Sequence, residues 1–170
     1  MTTSTCNTSS VFDRLFAGLR PPRPPRPATP YESGLAALER GQPAEALAAF
    51  ERAVLAAGNE RERAAANNKR GVALVELRRF EAALDAFCEA LALDERCAPA
   101  LVNLGSLLLE EGHPLDAIDY YEAALRADDK YAVAHRNLGI AFKRIGRRGE
   151  AVRHLRAAAR LESRRSPGRA

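Results

Sequence analysis

The stretch LVNLGSLLLEEGHPLDAIDYYEAAL, residues 101–125, sets apolar residues at helical spacing on both sides of a Gly-His-Pro break. That pattern predicts two helices joined by a tight turn. The skeleton returns as HRNLGIAFKRIGRRGEAVRHLRAAA, residues 135–159, displaced by 34 positions. Gly71, Gly105 and Gly139 are likewise 34 apart, and Gly34 precedes Gly71 by 37. Ala83, Ala117 and Ala151 keep the same spacing, with Ala46 in the earliest copy and Ala53, Ala90, Ala124 and Ala158 seven residues behind each. Phe50, Phe87, Tyr121 and Leu155 stand four residues after the first alanine. Several independent columns in one phase mark an internal repeat.

A helical glycine costs about 1 kcal/mol relative to alanine, so its recurrence needs a packing reason. The expected reason is close approach, with each glycine facing an alanine of the antiparallel partner helix at an axis distance of about 8–9 Å and the bulky residue four positions on filling the space beside that crossing. Gly41, Gly112 and Gly146 read as stops of the first helices, and Pro43 and Pro114 as starts of the second. The predicted helix pairs are 31–40 with 43–57, 62–78 with 80–93, 98–111 with 114–127, and 131–145 with 147–162. The fold class is therefore all-α, a solenoid of about four hairpins over residues 31–162, with repeats at 30–60, 64–97, 98–131 and 132–162. Pro30 predicts a short first helix, and GNERERA at residues 58–64 predicts a lengthened first connection between repeats.

A 34-residue helix–turn–helix with small, Leu/Gly, aromatic and Ala columns resembles the tetratricopeptide repeat. The resemblance implies a right-handed superhelix whose concave groove is lined by the first helix of each repeat. The positions it assigns to that groove are Tyr31, Glu39, Asn68, Lys69, Glu76, Asn103, Glu110, Arg136, Asn137, Lys143 and Arg144. Asn103 and Asn137 share one repeat position, and a side-chain amide there can pair with the N–H and C=O of an extended peptide. Lys69 occupies that position in repeat 2, with Asn68 beside it, which leaves the asparagine ladder incomplete. A carboxylate clamp like that of chaperone-binding family members would draw on Asn68, Lys69, Asn103, Arg136 and Asn137, but Val72 stands where one asparagine is required. The implied function is an adaptor, scaffold or chaperone-like module taking a peptide or partner protein in its groove.

Composition supports a folded, non-membrane chain: 46% of residues are hydrophobic and 28% charged. No segment reaches the roughly 18 apolar residues that span a bilayer. The amphipathic segment 11–19, VFDRLFAGL, is interrupted by Asp13 and Arg14, so it reads as a docking helix for a partner or a membrane surface rather than a secretory leader. Cys6, Cys88 and Cys97 form no CxxC pair and predict free thiols in a reducing, cytoplasmic compartment, with Cys88 packed inside a second helix. Arginine in preference to lysine, with abundant alanine, fits a GC-rich bacterial genome. No metal, cofactor or catalytic motif is present, and His113, His135 and His154 read as isolated.

The net charge of +4 divides unevenly: +3 over residues 1–30, −9 over 31–129 and +10 over 130–170. Arg147, Arg148, Arg153, Arg156 and Arg160 form a basic patch on the last helix, continued by a tail at 163–170 predicted to be disordered. The patch predicts an alternative function, anion binding to nucleic acid, an anionic membrane or an acidic protein. Its contrast with the acidic body also allows head-to-tail self-association. Residues 1–30 form a separate arm, in which RPPRPPRP at 20–27 favours polyproline II with Arg20, Arg23 and Arg26 on one edge and reads as a stiff linker, with recognition of an acidic surface or an SH3-like domain as the alternative.

Overall fold

The computed structural model describes residues 27–165; the expectations for the amphipathic segment 11–19, for the Arg-Pro stretch before residue 27, and for 166–170 lie outside the described residues. Eight helices follow in order: α1 Pro30–Glu39, α2 Pro43–Ala56, α3 Glu60–Glu76, α4 Phe80–Leu93, α5 Ala98–Glu110, α6 Pro114–Ala127, α7 Ala132–Arg144 and α8 Arg148–Arg165. They pack as four consecutive hairpins, each odd-numbered helix against the even-numbered one after it.

Helix starts follow local chemistry. Thr29 closes a capping box with Glu32, which places Pro30 in the first turn, where its missing N–H costs nothing. The GNERERA segment does not lengthen the connection. Asn59 accepts from the Glu62 N–H at 2.9 Å, and the additional residues wind into the start of α3, which has 17 residues where α5 and α7 have 13. The last helix also runs past the predicted 162, so residues 163–165 are helical rather than part of a disordered tail.

Each first helix stops in the same way. The Gln42, Arg79, His113 and Arg147 N–H groups reach back to the carbonyls of Ala37, Leu74, Leu108 and Phe142. The residue before each donor is left-handed: Gly41, Gly112 and Gly146 have φ of 67°, 88° and 80°, as the sequence predicts. In repeat 2 the place is taken by Arg78 at φ 58°.

The nearest neighbour of each column glycine is the bulky residue of its own hairpin. A Cβ on Gly34 would meet the Phe50 ring at 2.6 Å, one on Gly105 the Tyr121 ring at 2.8 Å, and one on Gly71 would overlap the Phe87 ring. In the last two repeats the alanine carbonyl is also among the nearest neighbours, Ala117 at 3.2 Å and Ala151 at 3.1 Å. Each glycine is therefore the seat for the large side chain of its own hairpin. Phe50, Phe87 and Tyr121 are fully buried there, and the core continues between repeats through Leu74, Leu104, Leu138 and Phe142.

First helices of successive repeats touch one another from α3 to α5 to α7, whereas the second helices make no comparable contact. The array therefore curves with its first helices on the inner side. Among the described residues no helix is long and apolar enough to cross a membrane.

Candidate binding groove

Polar side chains of the first helices link the repeats along the inner face. Asn103 on α5 donates through Nδ2 to Asn68 Oδ1 on α3 at 2.8 Å. Asn137 on α7 donates to Ser106 Oγ on α5 at 3.1 Å, and Ser106 passes its own proton to the Val102 carbonyl at 2.8 Å. Tyr121 donates to the same Ser106 oxygen at 3.2 Å from beneath, and burial pushes its hydroxyl pKa up. Arg144 donates to the Leu109 carbonyl, joining α7 to the end of α5. Asn68, expected to face the groove, is only 4% exposed and serves as an acceptor between repeats. The sequence also gives no sign that Ser106 is the junction of this network.

Between α3 and α5 the inner face holds a recess of about 130 Å³ lined by Val72, Val75, Glu76, Asn103, Ser106 and Glu110, among others. Its walls are apolar and its edge is acidic, because Glu76 and Glu110 are exposed and neither forms an ion pair among the described residues. Lys69 is half-buried on α3, two helical turns from Glu76 and so across the groove from it. Lys143 and Arg144 are exposed at the far end, while Arg136 is paired with Glu162 of α8. The candidate residues thus divide into an acidic edge on repeats 2 and 3, a polar row that also ties repeats together, and a basic end on repeat 4.

The tetratricopeptide repeat profile matches residues 31–101 and again 102–170. The chain belongs to the tetratricopeptide repeat family. Solved tetratricopeptide structures agree in fold. A crystal structure of MamA is 24% identical, covering 92% of this chain and 87% of its own, with a TM-score of 0.65. YrrB, described as a TPR protein with an unusual peptide-binding site, is 25% identical over 79% of this chain and 68% of its own, with a TM-score of 0.60. The second TPR of Spaghetti (RPAP3), solved with the HSP90 peptide SRMEEVD, is 21% identical over 59% of this chain and 94% of its own, with a TM-score of 0.56. No curated protein sequence matches the chain. The clamp residues weighed from the sequence do not assemble in this tetratricopeptide array, since Asn68 is buried and Arg136 is held by Glu162.

The last of the described helices is α8. Arg147 pairs with Glu150 and lies over the Phe142 ring at 4.8 Å, so it belongs to the packing of the last hairpin. Arg148, Arg153, Arg156 and Arg160 are exposed and form no ion pair among the described residues. Two of the histidines are not isolated. His135 on α7 and His154 on α8 bring their Nδ1 atoms to 3.0 Å, and burial, then the neighbouring His135 and Arg153, hold the His154 pKa below its ordinary value. Cys88 is exposed rather than packed, because the seat beside Gly71 takes its neighbour Phe87 and turns Cys88 outward. Cys88 and Cys97 are free thiols, and no group of three or more metal-ligating side chains occurs among the described residues.

Proposed function

We propose that the chain is a protein-interaction module that holds an extended segment of a partner along its first helices, as an adaptor, scaffold or chaperone-like unit without catalysis or cofactor. The observation that carries this reading is the inner recess, with apolar walls, an exposed acidic edge and polar side chains from two repeats facing one space. In this reading Glu76 and Glu110 select donors, Asn103 and Asn137 present amide oxygens, and Lys69, Lys143 and Arg144 meet the segment elsewhere along the groove. The free thiols support a reducing, cytoplasmic setting.

Substitution of Asn103 or Asn137 is a poor test, because each ties two repeats together. Glu76→Arg with Glu110→Arg changes only exposed side chains. Peptides selected from a random displayed library against the full chain are expected to lose at least about tenfold in affinity on this double variant, equivalent to about 1.4 kcal/mol. Peptides that bind both forms equally would refute the groove reading.

A second reading rests on the unpaired Arg148, Arg153, Arg156 and Arg160: the last repeat binds an anionic polymer or membrane surface. A steep fall of binding with salt, abolished by Arg153→Gln with Arg156→Gln and indifferent to the glutamate variant, would select it.

A further inference from the structure

The N-terminal half of the groove combines an apolar floor with a row of carboxylates for which the fold itself has no use. Glu39, Glu76 and Glu110 are the terminal residues of α1, α3 and α5, one repeat apart. A carboxylate there faces the negative end of the helix dipole, the sign that destabilises a helix, and no basic residue stands in the last turn of any of the three. All three are exposed and without an ion pair among the described residues. Repeat 4 reverses the sign at the same position, where Arg144 bonds the Leu109 carbonyl and closes the row. Beside the carboxylates, Leu35 and Val72 lie one turn back on the same helix faces, with Leu38 and Val75 next to them, all half-buried.

A ligand matching this surface carries cations on one edge and small apolar groups on the others, at the spacing of the repeats. The chain contains such a segment. In RPPRPPRP, residues 20–27, Arg20, Arg23 and Arg26 recur every third residue with prolines between. Polyproline II advances about 9.3 Å per three residues. First helices in direct contact lie about 8–10 Å apart, and α3 and α5, joined by the Asn103–Asn68 bond, are in such contact, so the arginine spacing matches the step from Glu76 to Glu110.

We propose that the Arg-Pro segment occupies the acidic half of its own groove, with Arg26, Arg23 and Arg20 toward Glu39, Glu76 and Glu110 and the prolines on Leu35, Val72 and Val75. Four residue steps from Arg26 to Pro30 reach about 13–14 Å when extended, and the rise of α1 from Pro30 to Glu39 is about 13.5 Å. The tether is therefore long enough, and so short a connection gives an effective concentration in about the millimolar range, favouring the chain's own arm over that of another copy. The inference rests on the groove reading above and adds its regulation: a partner segment has to displace the arm, and basic, proline-containing segments compete best.

The test uses full-length protein and a fluorescent synthetic peptide of residues 19–29, followed by anisotropy at low ionic strength. The peptide is expected to bind the R20E/R23E/R26E variant at least about tenfold more tightly than wild type, whose groove is filled. Adding E39Q/E76Q/E110Q removes that binding. The glutamine variant also loses the charge–dipole conflict, so its Tm does not fall and lost affinity is not unfolding. Equal affinity for wild type and the arm variant, or no binding to the arm variant, overturns the proposal. So does a wild-type mass in sedimentation velocity that rises with concentration and is restored to monomer by either set of substitutions, since the arm of a second copy is then the occupant. If library-selected peptides still depend on Glu76 and Glu110 while the arm peptide fails, the arm inference falls alone and the groove reading stands.

Discussion

Gly71→Ala and Gly139→Ala make the same chemical change at the same repeat position, yet the structure assigns them different costs. Either substitution gains about 1 kcal/mol of helix propensity. At Gly71 the new methyl overlaps the Phe87 ring, which is 1% exposed and packed with Leu74, Leu104 and Leu107, so the ring has nowhere to go. Overpacking of that kind costs about 1–3 kcal/mol. With the full cost incurred at so closed a site, the net loss is about 1–2 kcal/mol. At Gly139 the methyl meets Leu155 Cγ at 2.6 Å and the Ala151 carbonyl at 3.1 Å. Leu155 is 38% exposed on α8, the last of the described helices, so a rotamer change and a small outward shift of α8 relieve the contact. An off-rotamer side chain costs about 0.5–1.5 kcal/mol, which cancels the propensity gain to within about 0.5.

Urea unfolding followed by far-ultraviolet circular dichroism measures both. Gly71→Ala is expected to lower the midpoint by roughly 0.5–1 M, and Gly139→Ala to leave it within error. Phe87→Leu combined with Gly71→Ala gives the same alanine–leucine pair that Gly139→Ala creates in repeat 4, and is expected to show a favourable coupling of about 1 kcal/mol or more in a double-mutant cycle. A Gly71→Ala protein as stable as wild type, or a cycle without coupling, would show that the glycine column is not a seat for the rings.

Arg78→Gly relieves a left-handed non-glycine residue worth about 1–2 kcal/mol and loses the stack of Arg78 on Phe80, worth about 0.5 kcal/mol; Tm is expected to rise by roughly 3 °C, and a fall would contradict the strain. Ser106→Ala leaves the buried Tyr121 hydroxyl and the Asn137 amide without their acceptor, a cost of about 1–3 kcal/mol. Hydrogen exchange should show the lost protection concentrated in α5 to α8 rather than spread through the chain. For His154 the folded-state pKa is depressed, so the unfolded chain binds the proton more readily and stability falls as pH drops through the ordinary value near about 6.5 toward the lower folded one. His154→Gln is expected to flatten the stability–pH curve in that window, and an unchanged curve would remove the histidine pair as its cause.

The fold was legible because packing repeats its demands. A bulky side chain, a ring in three hairpins and Leu155 in the fourth, needs a glycine opposite it, so the requirement is written into the sequence as a column with a period. What was illegible depends on the neighbour rather than the residue. Asn68 and Asn103 are adjacent in the groove pattern, yet one is buried because the following repeat covers it. His135 and His154 are separated by 19 residues on different helices, and no spacing rule joins them. Arg78 hides a left-handed turn because residue identity does not state φ; only its alignment with Gly41 and Gly112 could have given it away. The GNERERA segment resembled a loop by its charge, whereas Asn59 caps it and makes those charges the polar face of an extra turn.

The hydrogen bonding of the inner face also constrains what it can recognise. Ser106 commits its proton to the Val102 carbonyl, so both groups that approach its oxygen, the Tyr121 hydroxyl and the Asn137 amide, have to donate. Asn137 is thereby oriented with its N–H toward the neighbouring repeat, and Asn103 is oriented likewise toward Asn68. The part of each amide not engaged in this bridge includes its carbonyl oxygen, an acceptor. Glu76 and Glu110 add only acceptors. The middle of the groove thus offers the carboxylates and amide oxygens over an apolar floor, beside the second N–H of each amide; under the proposed reading, a ligand that meets Glu76 and Glu110 does so through donors such as ammonium or guanidinium. Lys69 adds a donor across the groove on α3, and Lys143 and Arg144 add two beyond it, so under the proposed groove reading a bound segment is expected to set its cationic part over Glu76 and Glu110 and any carboxylate toward repeat 4.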